Sequence, residues 1–97
     1  MLEQKYKEII LEIFSKYFDD YQLLLFGSRA RQDNDSVSDL DLALKRQNDA
    51  KLNYKISCIK EDLEESIIPY KIDLLDYFSI DASMQQAINR EGILLNV

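Results

Sequence analysis

The fold is decided by residues 21–44, which read YQLLLFGSRARQDNDSVSDLDLAL. The apolar run 21–26 is closed by Gly27, which predicts a short buried strand that ends in a tight turn. Leucine stands at every second position of residues 39–44, between Asp39, Asp41 and Ala43, and this alternation is typical of a strand with one buried face. We predict that residues 28–38 form a helical turn followed by a loop. Because this connection is short, the two strands are expected to be antiparallel neighbours.

Two helices and a third strand are predicted around this unit. Residues 2–18 carry apolar side chains at spacings of three and four, which favours an amphipathic helix. A second helix is expected to begin at a cap formed by Asn48 or Asp49 and to end at Pro69. Its predicted buried face consists of Leu52, Ile56, Ile59, Leu63 and Ile67. Residues 70–77 are expected to form the third strand, which can be parallel to the second through a right-handed crossover because a whole helix separates them.

The C-terminal part is predicted to add a last helix and an edge strand. Either Ser79 or Asp81 can cap this helix, and Gly92 is a candidate cap at its C-terminal end. The residues expected to face inward are Met84, Ala87 and Ile88. Residues 93–95 are expected to form the short edge strand. The order helix, strand, turn, strand, helix, strand, helix predicts an α/β (α+β) fold, a small mixed sheet with flanking helices, as one domain over residues 1–97.

Composition restricts the chemistry. Histidine is absent and Cys58 is the only cysteine, so histidine general bases, most transition-metal sites and internal disulfides are excluded. The net charge of −6 argues against direct binding of long nucleic acid. No apolar run approaches the ~18 residues that span a bilayer, and no signal-peptide core is visible, so we expect a cytoplasmic protein without membrane contact.

Three aspartates are the candidate chemical groups. Asp39 and Asp41 lie on one face of the second predicted strand, where two like charges favour a hard cation such as magnesium between them. Either Asp73 or Asp76 can join them, since the two point to opposite faces of the third strand. If the second and third strands are parallel, Asp73 lies beside the pair, whereas Asp76 is expected to be solvated or to cap a helix.

A phosphate-binding turn is predicted directly after the first strand. Gly27 allows phosphate to approach the backbone, and Ser28 adds a hydroxyl group. Arg29 and Arg31 flank this turn and can neutralise phosphate charge in a forked geometry. Because the two strands are antiparallel, this turn is expected to lie next to the aspartates.

These motifs together resemble the DNA polymerase beta-like nucleotidyltransferase superfamily. The pattern consists of Gly-Ser, a gap of about ten residues, Asp-x-Asp, and a third carboxylate on a later strand. It is carried here by Gly27-Ser28-Arg29-Ala30-Arg31, Ser38-Asp39-Leu40-Asp41-Leu42 and Asp73. Over nearly its whole length the chain resembles the minimal nucleotidyltransferase (MNT) proteins of bacteria and archaea. One departure is Gln32, where such sequences often carry a glycine; it bears on loop shape and not on the metal site.

The resemblance implies an enzyme and its partners. It implies a nucleotidyltransferase with ATP as substrate and two magnesium ions, in which the metal ligands and catalytic carboxylates are Asp39, Asp41 and Asp73. The nucleotide-binding residues that it implies are Gly27, Ser28, Arg29 and Arg31. It further implies an antitoxin that transfers AMP to a tyrosine of a HEPN-domain toxin in a hetero-oligomer. Two alternatives stay open: an antitoxin that acts by docking alone, and the catalytic subunit of a small-molecule nucleotidyltransferase.

Overall fold

The computed structural model describes residues 2–27, 39–46 and 52–96. In chain order they form α1 (Gln4–Ser15), β1 (Gln22–Phe26), β2 (Leu40–Lys45), α2 (Leu52–Glu64), β3 (Ile72–Asp76), a 3₁₀ helix (Tyr77–Ser79), α3 (Ala82–Glu91) and β4 (Ile93–Leu94). The predicted turn at residues 28–38 and the predicted caps Asn48 and Asp49 lie outside the described residues. None of the helices in the described ranges is long and apolar enough to cross a membrane.

The four described strands form one mixed sheet in the order β3-β2-β1-β4. β1 pairs with β2 and with β4 in antiparallel orientation, and β2 pairs with β3 in parallel orientation. The backbone hydrogen bonding between β4 and β1 continues one residue past the end of β4, where the Leu95 amide donates to the Leu23 carbonyl at 2.8 Å. These pairings confirm the mixed α/β sheet, the antiparallel first pair, the parallel second pair and the C-terminal edge strand that the sequence predicts.

One face of the sheet packs against α1 and α2 and forms the main core. Leu40, Leu42 and Leu44 alternate along β2 and are 0–1% exposed, as their spacing predicts. They join Ile10 and Phe14 of α1, which are both fully buried. Burial of one such side chain contributes about 1.5–3 kcal/mol, so this face supplies most of the hydrophobic stabilisation. Because the leucines point into this core, Asp41 and Ala43 point to the opposite face of the sheet.

The opposite face carries a smaller core under α3. Ala43, Tyr77 and Ile88 are buried together there. The Tyr77 hydroxyl and the Asn89 side chain are hydrogen-bonded, with 2.8 Å between Tyr77 Oη and Asn89 Nδ2. Asp81 caps α3, because its carboxylate accepts from the Met84 amide at 2.8 Å. Helix α3 therefore covers this face of the sheet at Ala43. The first residues of β2, Leu40 and Asp41, come before that position in the strand.

The end of α2 differs from the sequence prediction. The helix ends at Glu64, well before Pro69, and Ile67 is 76% exposed instead of buried. The Ser66 hydroxyl donates to the Leu63 carbonyl at 2.6 Å and accepts from the Ile68 amide at 3.3 Å. A serine side chain that takes over these backbone groups offers an alternative to the next helical turn, so the helix ends there.

One further side chain departs from its predicted surroundings, and Asp62 is held by two side chains that follow α1. Met84 was expected to face inward, but it lies in the first turn of α3 and is 42% exposed. The carboxylate of Asp62 in α2 accepts from Lys16 at 3.0 Å and from the Tyr17 hydroxyl at 2.9 Å. The hydrogen bond from Lys16 lowers the pKa of Asp62 most, and the hydrogen bond from Tyr17 lowers it further. The hydrogen bond to Asp62 in turn raises the pKa of Tyr17 to about 12.

Candidate active site

Asp41 and Asp73 lie side by side in the sheet. The parallel register of β2 and β3 pairs Asp41 with Asp73, and the Leu40 amide donates to the Lys71 carbonyl at 2.9 Å where this register begins. Paired residues of adjacent strands are about 4.8 Å apart in the hydrogen-bonding direction. Asp41 is half-buried and Asp73 is exposed, so both can reach a ligand from the open side of the sheet.

The other two aspartates considered from sequence take different positions. Asp39 directly precedes β2 and is exposed, two residues before Asp41. Asp76, at the far end of β3, caps the 3₁₀ helix: its carboxylate accepts from the Phe78 amide at 3.1 Å and from the Ser79 hydroxyl at 2.7 Å. Asp76 is therefore a capping residue, and the structure brings Asp73 to the neighbourhood of Asp41.

Gly27 lies against the carboxylate of Asp41. It follows Phe26, whose register partner in the antiparallel pair is Asp41. Its φ is +75°, and a Cβ atom added there would be 2.5 Å from Asp41 Oδ2. Both the backbone conformation and the close approach require glycine. The remaining predicted phosphate-binding residues, Ser28, Arg29 and Arg31, lie outside the described residues.

A cleft of about 610 Å³ opens beside this pair of aspartates. Its lining residues come from the ends of β1 and β2 at the aspartates, from β3 and the residues before it, from α2 and from the first turn of α3. Among the lining residues that sequence reasoning did not assign to the site are Lys60, Tyr70, Lys71 and Met84. Lys71 carried a usable signal, because it is two residues from Asp73 and shares its face of β3; the others come from elements whose packing the sequence does not show.

The donor set fits magnesium better than a softer metal. Within residues 2–27, 39–46 and 52–96, no three acidic or cysteine side chains are already arranged to hold a metal ion. Magnesium, however, is commonly bound by one or two carboxylates together with water and substrate phosphates. Asp41 and Asp73 offer two hard oxygen donors in register, and a cation between them would relieve their mutual repulsion. The carboxylates therefore fit magnesium that is shared with a phosphate-bearing substrate.

The sequence profile of one family, described as "Polymerase beta, Nucleotidyltransferase", matches residues 8–96. The chain belongs to this nucleotidyltransferase family. The match spans every described strand and two thirds of α1, so it covers Gly27, both strands that carry the aspartates, and the cleft. It confirms that the chain is a nucleotidyltransferase and confirms the fold that the sequence motifs imply.

The chain is similar to the "Probable protein adenylyltransferase MntA" of Haemophilus influenzae. It is 28% identical over 87 residues, which cover 90% of this chain and 75% of that protein. The similarity confirms the resemblance to minimal nucleotidyltransferases and includes a protein named for adenylyl transfer.

Several solved structures share the fold of this nucleotidyltransferase. A chain described as a candidate minimal nucleotidyltransferase matches with a TM-score of 0.73 and 22% identity, covering 93% of this chain and 89% of the other. A chain of a toxin–antitoxin complex crystallised with AMP-PNP matches at 0.72 and 20%, covering 92% and 71%. A third, from a complex of a tri-AMPylated Shewanella oneidensis HEPN toxin with its MNT antitoxin, matches at 0.72 and 19%, covering 97% and 71%. At these identities the matches establish the fold.

Proposed function

We propose that this chain is a magnesium-dependent adenylyltransferase and an antitoxin, which transfers AMP from ATP to a tyrosine of a HEPN-domain toxin. The observation that carries the proposal is the pairing of Asp41 with Asp73 in register, next to the left-handed Gly27. A carboxylate pair beside a backbone turn that admits phosphate is what the transfer of a nucleotidyl group requires.

The triphosphate is assigned to the β1 side of the site. Gly27 leaves room for phosphate at the backbone, and Ser28 would donate its hydroxyl to a phosphate oxygen. Arg29 and Arg31 would balance phosphate charge from the same turn. Together with Gly27, these side chains would hold the nucleotide so that its α-phosphorus faces Asp73.

The aspartates are assigned to metal binding and proton transfer. Asp39, Asp41 and Asp73 would hold two magnesium ions, which supply charge neutralisation for the triphosphate and the leaving pyrophosphate when bound. Asp73 is on the outer strand, farthest from Gly27, and would accept the proton of the acceptor hydroxyl. The hydroxyl oxygen then bonds to the α-phosphorus while the bond from that phosphorus to the bridging oxygen breaks, and pyrophosphate leaves.

The assignment of the partner is supported by the similar proteins. The Haemophilus influenzae relative is named as a probable protein adenylyltransferase, and one of the similar complexes joins an AMPylated HEPN toxin to an MNT antitoxin. A hetero-oligomer with such a toxin explains how the acceptor reaches the open side of the sheet. Because the reaction consumes ATP, we assign it to the cytoplasm.

Co-expression with the proposed toxin tests this function. Wild-type chain should restore growth, and the intact mass of the toxin should increase by one or more adenylyl groups. The variant with Asp39→Asn and Asp41→Asn should bind the toxin, leave its mass unchanged and fail to restore growth. Full rescue by this variant with an unmodified toxin would show that docking alone neutralises the toxin, and the proposed catalytic role would be wrong.

A further inference from the structure

The cleft extends beyond the aspartates to a basic end. Lys71 directly precedes β3, and Lys60 lies on α2; both are exposed and both line the cleft. Glu64 lies one helical turn after Lys60 and lines the cleft as well. The cleft is thus lined by the carboxylates of Asp41 and Asp73 and, next to Asp73 and toward α2, by two lysines and one glutamate.

Within residues 2–27, 39–46 and 52–96, neither Lys60 nor Lys71 forms an ion pair with a carboxylate. In the parts of the chain that the structure describes, the ion pairs join Lys5 with Glu3 and Lys16 with Asp62. Lys60 and Glu64 are one turn apart on α2 but are not among them. In a chain of net charge −6, two cations that line one cleft and form no ion pair with a carboxylate of the described residues are available to a ligand from outside.

The position of the lysines separates them from the nucleotide turn. The sheet order β3-β2-β1 puts β2 between Lys71 and Gly27. With strands about 4.8 Å apart, the β3 side of the site lies on the order of 10 Å from the Gly27 turn. The lysines are therefore on the Asp73 side of the site, to which the proposed mechanism brings the acceptor hydroxyl, and not on the Gly27 side, to which it assigns the triphosphate.

We propose that Lys60 and Lys71 dock an acidic side chain of the acceptor segment, close to the hydroxyl that receives the nucleotide. This inference rests on the proposed adenylyl transfer to a protein. The cleft volume of about 610 Å³ is within the roughly 300–1,000 Å³ range of pockets that enclose a drug-sized group, so an acceptor side chain and its neighbour fit. Partly buried Tyr70, whose ring packs edge-on against Tyr6 at 5.7 Å, gives this end an apolar wall.

Charge complementarity at the lysines selects among acceptors. An acidic residue beside the acceptor hydroxyl would pair with Lys60 or Lys71, whereas a basic residue would be repelled by both. The overall negative charge of the chain favours a partner that is neutral or basic elsewhere. Within the cleft, however, the positive charges of Lys60 and Lys71 favour an acidic residue. They therefore restrict modification to a hydroxyl group that has an acidic neighbour.

Transfer kinetics with the purified toxin as acceptor test the proposal. The variants are Lys71→Met and the double variant Lys60→Met/Lys71→Met. The matched control is Lys7→Met, which removes the same charge from α1, outside the cleft. We expect KM for the toxin to rise about tenfold in the double variant, with kcat and the Kd for magnesium-ATP within about twofold of wild type. The control should match wild type, and thermal melting should show that all variants fold.

Two results would overturn the proposal. An unchanged KM for the toxin in the double variant would show that the lysines do not contact the acceptor. An equal rise in the Kd for magnesium-ATP would assign them to the triphosphate instead.

A double-mutant cycle identifies the chemistry on the acceptor side. Replacing acidic residues near the modified tyrosine of the toxin by their amides should reproduce the loss seen with Lys71→Met, and the two losses should not add. Full additivity for every acidic residue would contradict the pairing. Failure of wild-type chain to modify the toxin would refute the proposed function itself, which distinguishes that failure from failure of the lysine assignment.

Discussion

Replacing Gly27 by alanine should damage both stability and catalysis, through two separable effects. The backbone at Gly27 has a φ of +75°, a conformation that raises the energy of a residue with a side chain by about 1–2 kcal/mol. The new Cβ would also lie 2.5 Å from Asp41 Oδ2, whereas ordinary contact begins at 3.4 Å. The carboxylate oxygen is the far end of a flexible side chain, so it can rotate away. We therefore expect the backbone term to dominate the loss of stability.

Thermal melting and transfer assays measure the two effects. For a domain of this size, 1 kcal/mol lowers Tm by about 4–8 °C, so Gly27→Ala should lower Tm by at least that amount. Catalysis should fall much further, because a displacement of about 1 Å in a catalytic group can reduce the rate by about a hundredfold. Adenylyl transfer and magnesium-ATP affinity should therefore both fall at temperatures where the variant is fully folded.

The same substitution in an Asp41→Ala background separates the two causes. Without the carboxylate, the backbone strain at Gly27 stays and the contact disappears, so the loss of Tm should persist. A loss of Tm that vanishes in this background would show that the contact, and not the backbone conformation, carries the destabilisation. Wild-type stability and activity for Gly27→Ala would refute the reasoning altogether.

Three further predictions follow from single contacts. Asp73→Asn should raise the free energy of unfolding without magnesium by about 0.2–1 kcal/mol, because it removes a like charge opposite Asp41; added magnesium should stabilise wild type more than the variant, as measured by thermal melting, and equal stabilisation would contradict shared metal binding. Gly92→Ala should lower Tm with little change in magnesium-ATP affinity, because its Cβ would lie 2.5 Å from the backbone carbonyl oxygen of Ile88 and β1 separates it from the strands that carry the aspartates; a large loss of affinity in calorimetry would contradict this. Asp62→Asn should lower Tm near neutral pH, and the difference should begin to shrink below about pH 4 and disappear only in stronger acid, because the lowered pKa of Asp62 gives a contribution that is present above its unfolded value and lost as pH falls through the folded value; a pH-independent difference in melting curves would refute this linkage.

The sheet could be predicted from sequence because its signals are local and consistent. The alternation of Leu40, Leu42 and Leu44 with Asp39 and Asp41 fixes both the strand and its buried face. Burial of the leucines then determines which way the aspartates point, since a shift of one residue would reverse both faces. The parallel register that pairs Asp41 with Asp73 is not local, but the intervening helix and the common sheet edge were enough to expect it.

The errors lie where a side chain or a neighbouring element overrides the local pattern. The helical spacing of α2 continues to Ile67, yet the Ser66 hydroxyl takes over backbone groups and the helix ends at Glu64. The inward prediction for Met84 assumed that α3 lies on the sheet along its whole length, whereas its first turn lies over the cleft. The cleft itself joins α2, β3 and α3, so its lysines could be grouped only once the structure was known.

Transfer of label from ATP to the toxin tests the central claim most directly. Purified wild-type chain with magnesium and ATP labelled at the α-phosphate should label the toxin, and ATP labelled at the γ-phosphate should not. Asp41→Asn should abolish labelling, because that carboxylate is proposed to hold the metal, while circular dichroism and toxin binding stay as in wild type. Labelling at the wild-type rate by Asp41→Asn, or labelling from the γ-phosphate, would contradict the assignment of this chain as an adenylyltransferase that works through Asp41 and Asp73.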